Sequence, residues 1–175
     1  MTDGRTARAH AEGVSRLIVM GPSGAGKSVI GAALAARLGV PFVDGDDLHP
    51  PANVAKMASG HPLTDDDRMP WLDVVAAQAC APTGGAVVAC SALARRYRDR
   101  ILRGCADVRF VELCVPRGEL EHRMETREHF MPPALLDSQL TLWEELEPNE
   151  PGVSVVNEGS VEAVVDRIRR ELARP

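Results

Sequence analysis

The chain has 175 residues, a formal net charge of −5, and 45% hydrophobic but only 3% aromatic residues. That length suits one domain with a substantial core, which Ala, Val, Leu and Ile must fill. Acidic and basic residues are mixed with no long basic block, which argues against a nucleic-acid partner, and the longest early apolar run, Leu17 to Met20, is too short for a membrane span or signal core.

Residues 1–14 read as a mobile polar arm, ahead of a single domain over residues 15–175. RLIVM, Arg16 to Met20, is a strand, and KSVIGAALAARL then has helical spacing closed by Gly39. PFVD is a second short strand. The prolines and glycines between Gly45 and Pro70 read as an inserted cap over 45–70. PWLDVVAAQACA is expected to be a helix that starts at Pro70, where proline costs little. AVVAC is a buried strand, ARRYRDRIL an amphipathic surface helix, and VRFVELCV a strand. RGELEHRMETRE and PALLDSQLTLWEEL are helices around a break at HFMPP. VSVV is the last strand, and the final helix begins near Ser160 with Val161, Val164, Val165, Ile168 and Leu172 on one face. Strands alternating with helices imply a parallel sheet covered on both faces, with ligands beyond the carboxyl ends of the strands. Cys80, Cys90, Cys105 and Cys114 have no CxxC spacing, and they read as reduced, mostly buried thiols in a cytoplasmic protein.

GPSGAGKS fits GxxxxGK[ST] and sits where that motif belongs, between a strand and a helix. Its glycines let backbone N–H groups turn inward as an anion nest, and the helix N-terminus adds its positive end. Phosphate contacts are expected from Gly21, Pro22, Ser23, Gly24, Ala25, Gly26, Lys27, Ser28 and Val29, with Lys27 reaching the β- and γ-phosphates and Ser28 ligating Mg²⁺. AVVAC runs into Ser91 and Ala92 instead of an aspartate, so another carboxylate must support the metal. Asp44, at the end of the second strand, lies on the same sheet edge.

Together with this loop, the phrases FVDGDDLHPPANVAKMASGHPLTDDDRMPWL, CSALARRYRDRIL and HFMPPALLDSQLTLWEELEP resemble the gluconate kinases (gluconokinases). The resemblance covers nearly everything from Ser15 onward. It implies a P-loop, nucleoside-kinase-like α/β fold with a five-stranded parallel sheet, helices on both faces and a lid over 123–135. It also implies transfer of the ATP γ-phosphoryl group to the 6-hydroxyl of D-gluconate, and a homodimer as the assembly. Ala94 stands where relatives usually carry lysine, Leu140 where phenylalanine is common, and Asn157 where an acid is frequent.

Phosphoryl transfer to a hydroxyl needs two carboxylate roles. Asp44 is assigned to the Mg²⁺ shell through water and Asp46 to the substrate hydroxyl; the competing reading is two turn acids at a strand end. Asp47 reads as a cap. The resemblance places His49 near the sugar acid, although a surface loop histidine fits equally. Asp65, Asp66 and Asp67 suit a helix N-terminus, which leaves Arg68 to pair with the substrate carboxylate. Arg123 and Arg127 share a helix face and, in the resembling fold, close over ATP; a solvated face with a Glu119–Arg123 pair is the alternative. Ser91 and Ala92 could meet the substrate through backbone. Lys27, Asp46 and Arg127 are therefore the expected catalytic set. The alternatives are a kinase of another small hydroxy acid such as shikimate, and a nucleotide-binding regulatory module without turnover.

Overall fold

The computed structural model describes residues 15–126 and 134–174. The N-terminal arm, Arg127 and most of the expected lid lie outside them. Five strands form one sheet in the order β2-β3-β1-β4-β5, with β1 at Ser15–Met20, β2 at Phe42–Asp44, β3 at Gly85–Ala89, β4 at Arg109–Cys114 and β5 at Gly152–Val156. Every pairing is parallel. The period-two alternation of β1 sorts the core. Leu17 and Val19 face helices α1 (Lys27–Leu38) and α7 (Val161–Leu172), whereas Ile18 and Met20 face α3 (Asp65–Cys80) and α4 (Arg95–Gly104). Both faces are buried, which is why the strand reads as a continuous apolar run. Among the described residues no helix is long and apolar enough to cross a membrane.

The region after β2 is more ordered than its prolines imply. A 3-10 turn at Gly45–Leu48 leads into α2 (Pro51–Ala58), with Pro51 at the start of the helix, where its missing N–H costs nothing. Helix α3 begins at Asp65, five residues before the expected Pro70. Thr64 accepts from the Asp67 N–H while the Asp67 carboxylate accepts from the Thr64 N–H, and this capping box outweighs the loss of one backbone hydrogen bond at Pro70.

Two further departures share one cause. Helix α5 spans Arg117–Thr126, but α6 (Ala134–Leu142) stops short of the expected residue 146. Arg98, expected on a surface helix, is fully buried and donates to the carbonyls of Glu144 and Glu145 at 2.9 and 3.2 Å. It also grips Glu150 with two bonds of 2.6 and 2.9 Å. The guanidinium thus satisfies carbonyls that extra helical turns would otherwise engage, and it holds 143–150 as a folded loop.

Candidate active site

The loop after β1 has the shape its sequence calls for. Gly21, Gly24 and Gly26 have φ of 151°, 83° and 90°, values that side chains rarely tolerate. Gly26 caps α1, so Lys27 and Ser28 occupy its first turn. Two distant residues brace the loop. The Gln139 side-chain oxygen accepts from the Ser23 N–H at 2.7 Å, and the Asn157 amide donates to the Ala25 carbonyl at 2.7 Å. An acid at 157 could not make that donation. Lys27 Nζ donates to the Pro22 carbonyl at 3.1 Å, and Val29 is exposed on the first turn. Arg123 reaches the loop from α5, donating to the Gly24 carbonyl at 3.2 Å while pairing with Glu119 at 2.7 Å. Arg127 lies outside the described residues.

Asp44 ends β2 beside this loop. One of its oxygens accepts from the Ser28 hydroxyl at 2.5 Å and the other caps the 3-10 turn by accepting from the Asp46 N–H at 3.1 Å. Asp44, not Asp47, is therefore the turn cap. Gly45 is needed for closeness and not for an unusual φ: a Cβ there would sit 2.3 Å from the Ala89 carbonyl oxygen of β3. Among the described residues no group of three or more His, Cys, Asp and Glu could hold a metal alone. The Ser28–Asp44 oxygen pair beside an anion nest nevertheless fits Mg²⁺, a hard ion usually shared between one or two protein oxygens and substrate phosphates.

One pocket joins the loop to the acceptor segment. Ser23 and Lys27 line it on one side; Asp46, His49, Arg68, Trp71 and Ser91 line the rest, together with Met57, Leu63, Leu135 and Gln139. The Gly21 N–H donates to the Ser91 carbonyl at 3.4 Å, which ties the ends of β1 and β3 together. Ala92 is not brought to the pocket wall. Its side chain is in the core, its φ is +43°, and its carbonyl accepts from Arg98. Ala94 is fully buried at the start of α4. Cys90 is a core residue whose thiol is pushed up to about 12 by burial.

The residues that sequence reasoning passed over are largely the supports. Trp71 stacks on His49, with centroids 4.0 Å apart at 18°, and donates from Nε1 to the Gly45 carbonyl at 2.7 Å. Buried Asn53 contacts His49 Nδ1 at 3.3 Å and donates to the Asp67 carbonyl at 3.0 Å. Only a donated N–H satisfies both contacts of that amide nitrogen, so His49 Nδ1 accepts and Nε2 carries the proton. Burial, reinforced by the charge of Arg68, lowers the His49 pKa to about 4. His49 is therefore a neutral hydrogen-bonding group at physiological pH. Its NMR titration is expected to show a midpoint about 4, and stability is expected to decline as pH falls from 6.5 towards that value, because the unfolded chain takes up a proton that the folded one refuses. A midpoint near 6.5 would place the ring in solvent.

The family described as an AAA domain matches residues 17–146. A gluconokinase of Gluconobacter oxydans (strain 621H) is 45% identical over 159 residues, covering 88% of this chain and 89% of that one. A crystal structure of a gluconokinase from Sinorhizobium meliloti 1021 aligns with a TM-score of 0.83 at 41% identity, over 92% of this chain and 93% of that one. An unliganded sugar kinase from Janibacter sp. HTCC2649 aligns with a TM-score of 0.80 at 40% identity, over 91% and 98% of the two chains.

Proposed function

The chain belongs to the gluconokinase family and phosphorylates gluconate with ATP; we propose that the phosphoryl group goes to the 6-hydroxyl of D-gluconate, giving 6-phospho-D-gluconate and ADP. The observation that carries this reading is the shared pocket: Lys27 of the phosphate loop and Asp46, His49 and Arg68 of the acceptor segment line one cavity.

The roles follow from the chemistry of each group. The nest at 21–28 and Lys27 hold the β- and γ-phosphates. Asp46 orients the 6-hydroxyl and accepts its proton as the new bond to γ-phosphorus forms and the β–γ bridging bond breaks. Ser28 would hold Mg²⁺ directly and Asp44 would hold it through water; the ion would supply positive charge that offsets the charge of the phosphoryl group in transfer. Arg123 is already at the loop carbonyl and adds positive charge near the nucleotide, and Arg127 is proposed to do the same as the lid shuts. His49 donates from Nε2 to the sugar acid, and Ser91 contributes at the wall. The site works in the cytoplasm, where ATP and Mg²⁺ are plentiful.

Arg68 reads the gluconate carboxylate. Acids surround it in sequence, and a planar fork is suited to a carboxylate. A charge-assisted hydrogen bond contributes about 1.5–3 kcal/mol, or roughly ten- to a hundred-fold in binding. Arg68→Ala is expected to raise the KM for gluconate by about that factor, with little change in the KM for ATP. A neutral hexitol of equal length lacks the carboxylate, so the preference for gluconate over it should shrink in the variant. Steady-state kinetics with both acceptors checks this; an intact preference would assign the carboxylate to another group.

A further inference from the structure

Arg68 does not stand alone on the pocket wall. Its Nη1 donates to the Tyr97 hydroxyl at 2.9 Å, and its guanidinium carbon lies 5.2 Å from the Tyr97 ring centroid. Arg96 Nη2 donates to the same hydroxyl at 3.1 Å, with its guanidinium 4.6 Å from that centroid. The hydroxyl in turn donates to Asp65 Oδ1 at 2.5 Å, and Arg96 grips both Asp65 oxygens at 2.8 and 3.0 Å. A phenol offers one donor and two acceptor sites. All three are used here, so the hydroxyl is fixed between the first turns of α3 and α4.

The charges in this cluster are unequal in effect. Asp65 is held ionised, down to about 2, by the hydrogen bonds from Arg96 and Tyr97. It forms a two-bond pair with Arg96, which therefore offers little uncompensated charge, and Arg96 does not line the pocket. Burial pushes the Tyr97 phenol up, so it stays neutral. Two arginines, one aspartate and a neutral tyrosine leave one excess positive charge. Only Arg68 presents it to the cavity.

We propose that Tyr97 is a positioning residue for acceptor specificity: with Asp65 and Arg96 it fixes Arg68 as the single guanidinium that reads the carboxylate, and so sets the preference for a sugar acid over a neutral polyol. The proposal rests on the reading of Arg68 given above. It also gives Asp65 a second purpose beyond the helix N-terminus: it occupies Arg96, and Arg96 in turn keeps Asp65 from competing with the substrate for Arg68.

The test compares kcat/KM for gluconate with kcat/KM for a neutral hexitol in wild type, Tyr97→Phe, Arg96→Met and Arg68→Ala, with Tm measured on each. Tyr97→Phe removes one oxygen from a buried ring and leaves Asp65 paired with Arg96. Its gluconate-to-hexitol ratio is expected to fall about five- to ten-fold, through the KM for gluconate, while the KM for ATP holds. Arg96→Met frees Asp65 to pair with Arg68 and is expected to lower the ratio several-fold as well. If Arg68→Ala collapses the ratio but Tyr97→Phe and Arg96→Met keep the wild-type value, the proposal is overturned while the Arg68 reading stands. A Tyr97→Phe protein that loses Tm and turns over both acceptors more slowly at an unchanged ratio overturns it too, since Tyr97 would then be structural only. If the ratio survives in Arg68→Ala, the Arg68 reading fails and this proposal fails with it.

Discussion

Asp46→Asn is expected to lower kcat by about 10²–10⁴-fold, the usual range for a group that takes a proton in the transition state. The substitution keeps size and a hydrogen-bonding oxygen but removes the negative charge. The backbone should hold, because the turn is fixed by other contacts: the Asp46 N–H donates to Asp44 at 3.1 Å, and the Asp46 carbonyl accepts from the His49 N–H at 3.3 Å. ATP affinity should stay within a few-fold, since the substitution keeps the size of the side chain and leaves the glycines of the phosphate loop in place. Lys27→Ala should behave differently and weaken nucleotide binding and rate together. Pre-steady-state phosphoryl transfer and nucleotide binding measured side by side check both; near-normal kcat in Asp46→Asn would mean that another group accepts the proton.

The second large effect is on stability. Arg98→Met is expected to destabilise the fold by about 3–5 kcal/mol, because it removes one partner of a buried ion pair and strands the other. Glu150 is 6% exposed, and both of its oxygens bind Arg98. The carbonyls of Ala92, Glu144 and Glu145 would lose their donor as well. In the native fold burial pushes the Glu150 carboxyl up, but Arg98 and the Glu147 N–H outweigh it, so the net shift is downward. A lowered carboxyl contributes stability that is present above its unfolded value and lost as pH falls through the folded one. Without Arg98 the carboxyl keeps the Glu147 N–H and Arg95, at 3.7 Å, but loses its two-bond partner, so its pKa is expected to rise and protonation to relieve the strain of burial. The gap between wild type and variant should therefore narrow in acid. Urea unfolding at neutral and acidic pH measures it; a constant small gap would mean that water replaces the guanidinium.

Sequence carries the parts of this fold that rest on local rules. The P-loop needs glycines in fixed places, β1 needs an apolar run, and α7 needs its apolar face; each can be read within a dozen residues. Asp44 could be placed because a strand end and a phosphate loop share one sheet edge. The start of α3 was legible in principle, since Thr64 and Asp67 have capping-box spacing, but Pro70 is a louder signal for a helix start. Arg98 was not legible. An arginine in a charge-rich stretch looks like surface, and only its partners near residue 150 make it core. Gln139 and Asn157 brace the loop from 116 and 132 residues away, so nothing near Ser23 or Ala25 announces them. Tyr97 and Trp71 left a faint trace: the chain has one tyrosine and two tryptophans, and two of those three sit at the acceptor pocket or beside Arg68.

The central claim is that the cavity between the phosphate loop and the acceptor segment phosphorylates gluconate at its terminal hydroxyl. The most direct test incubates the purified chain with ATP and Mg²⁺ against gluconate, shikimate, a nucleoside monophosphate and a neutral hexitol, and identifies products by mass and by ³¹P and ¹³C NMR. The expected result is that gluconate is turned over best and carries its new phosphate on carbon 6. Equal or better turnover of shikimate or the nucleotide, or ATP binding with no phosphorylated acid, would contradict it.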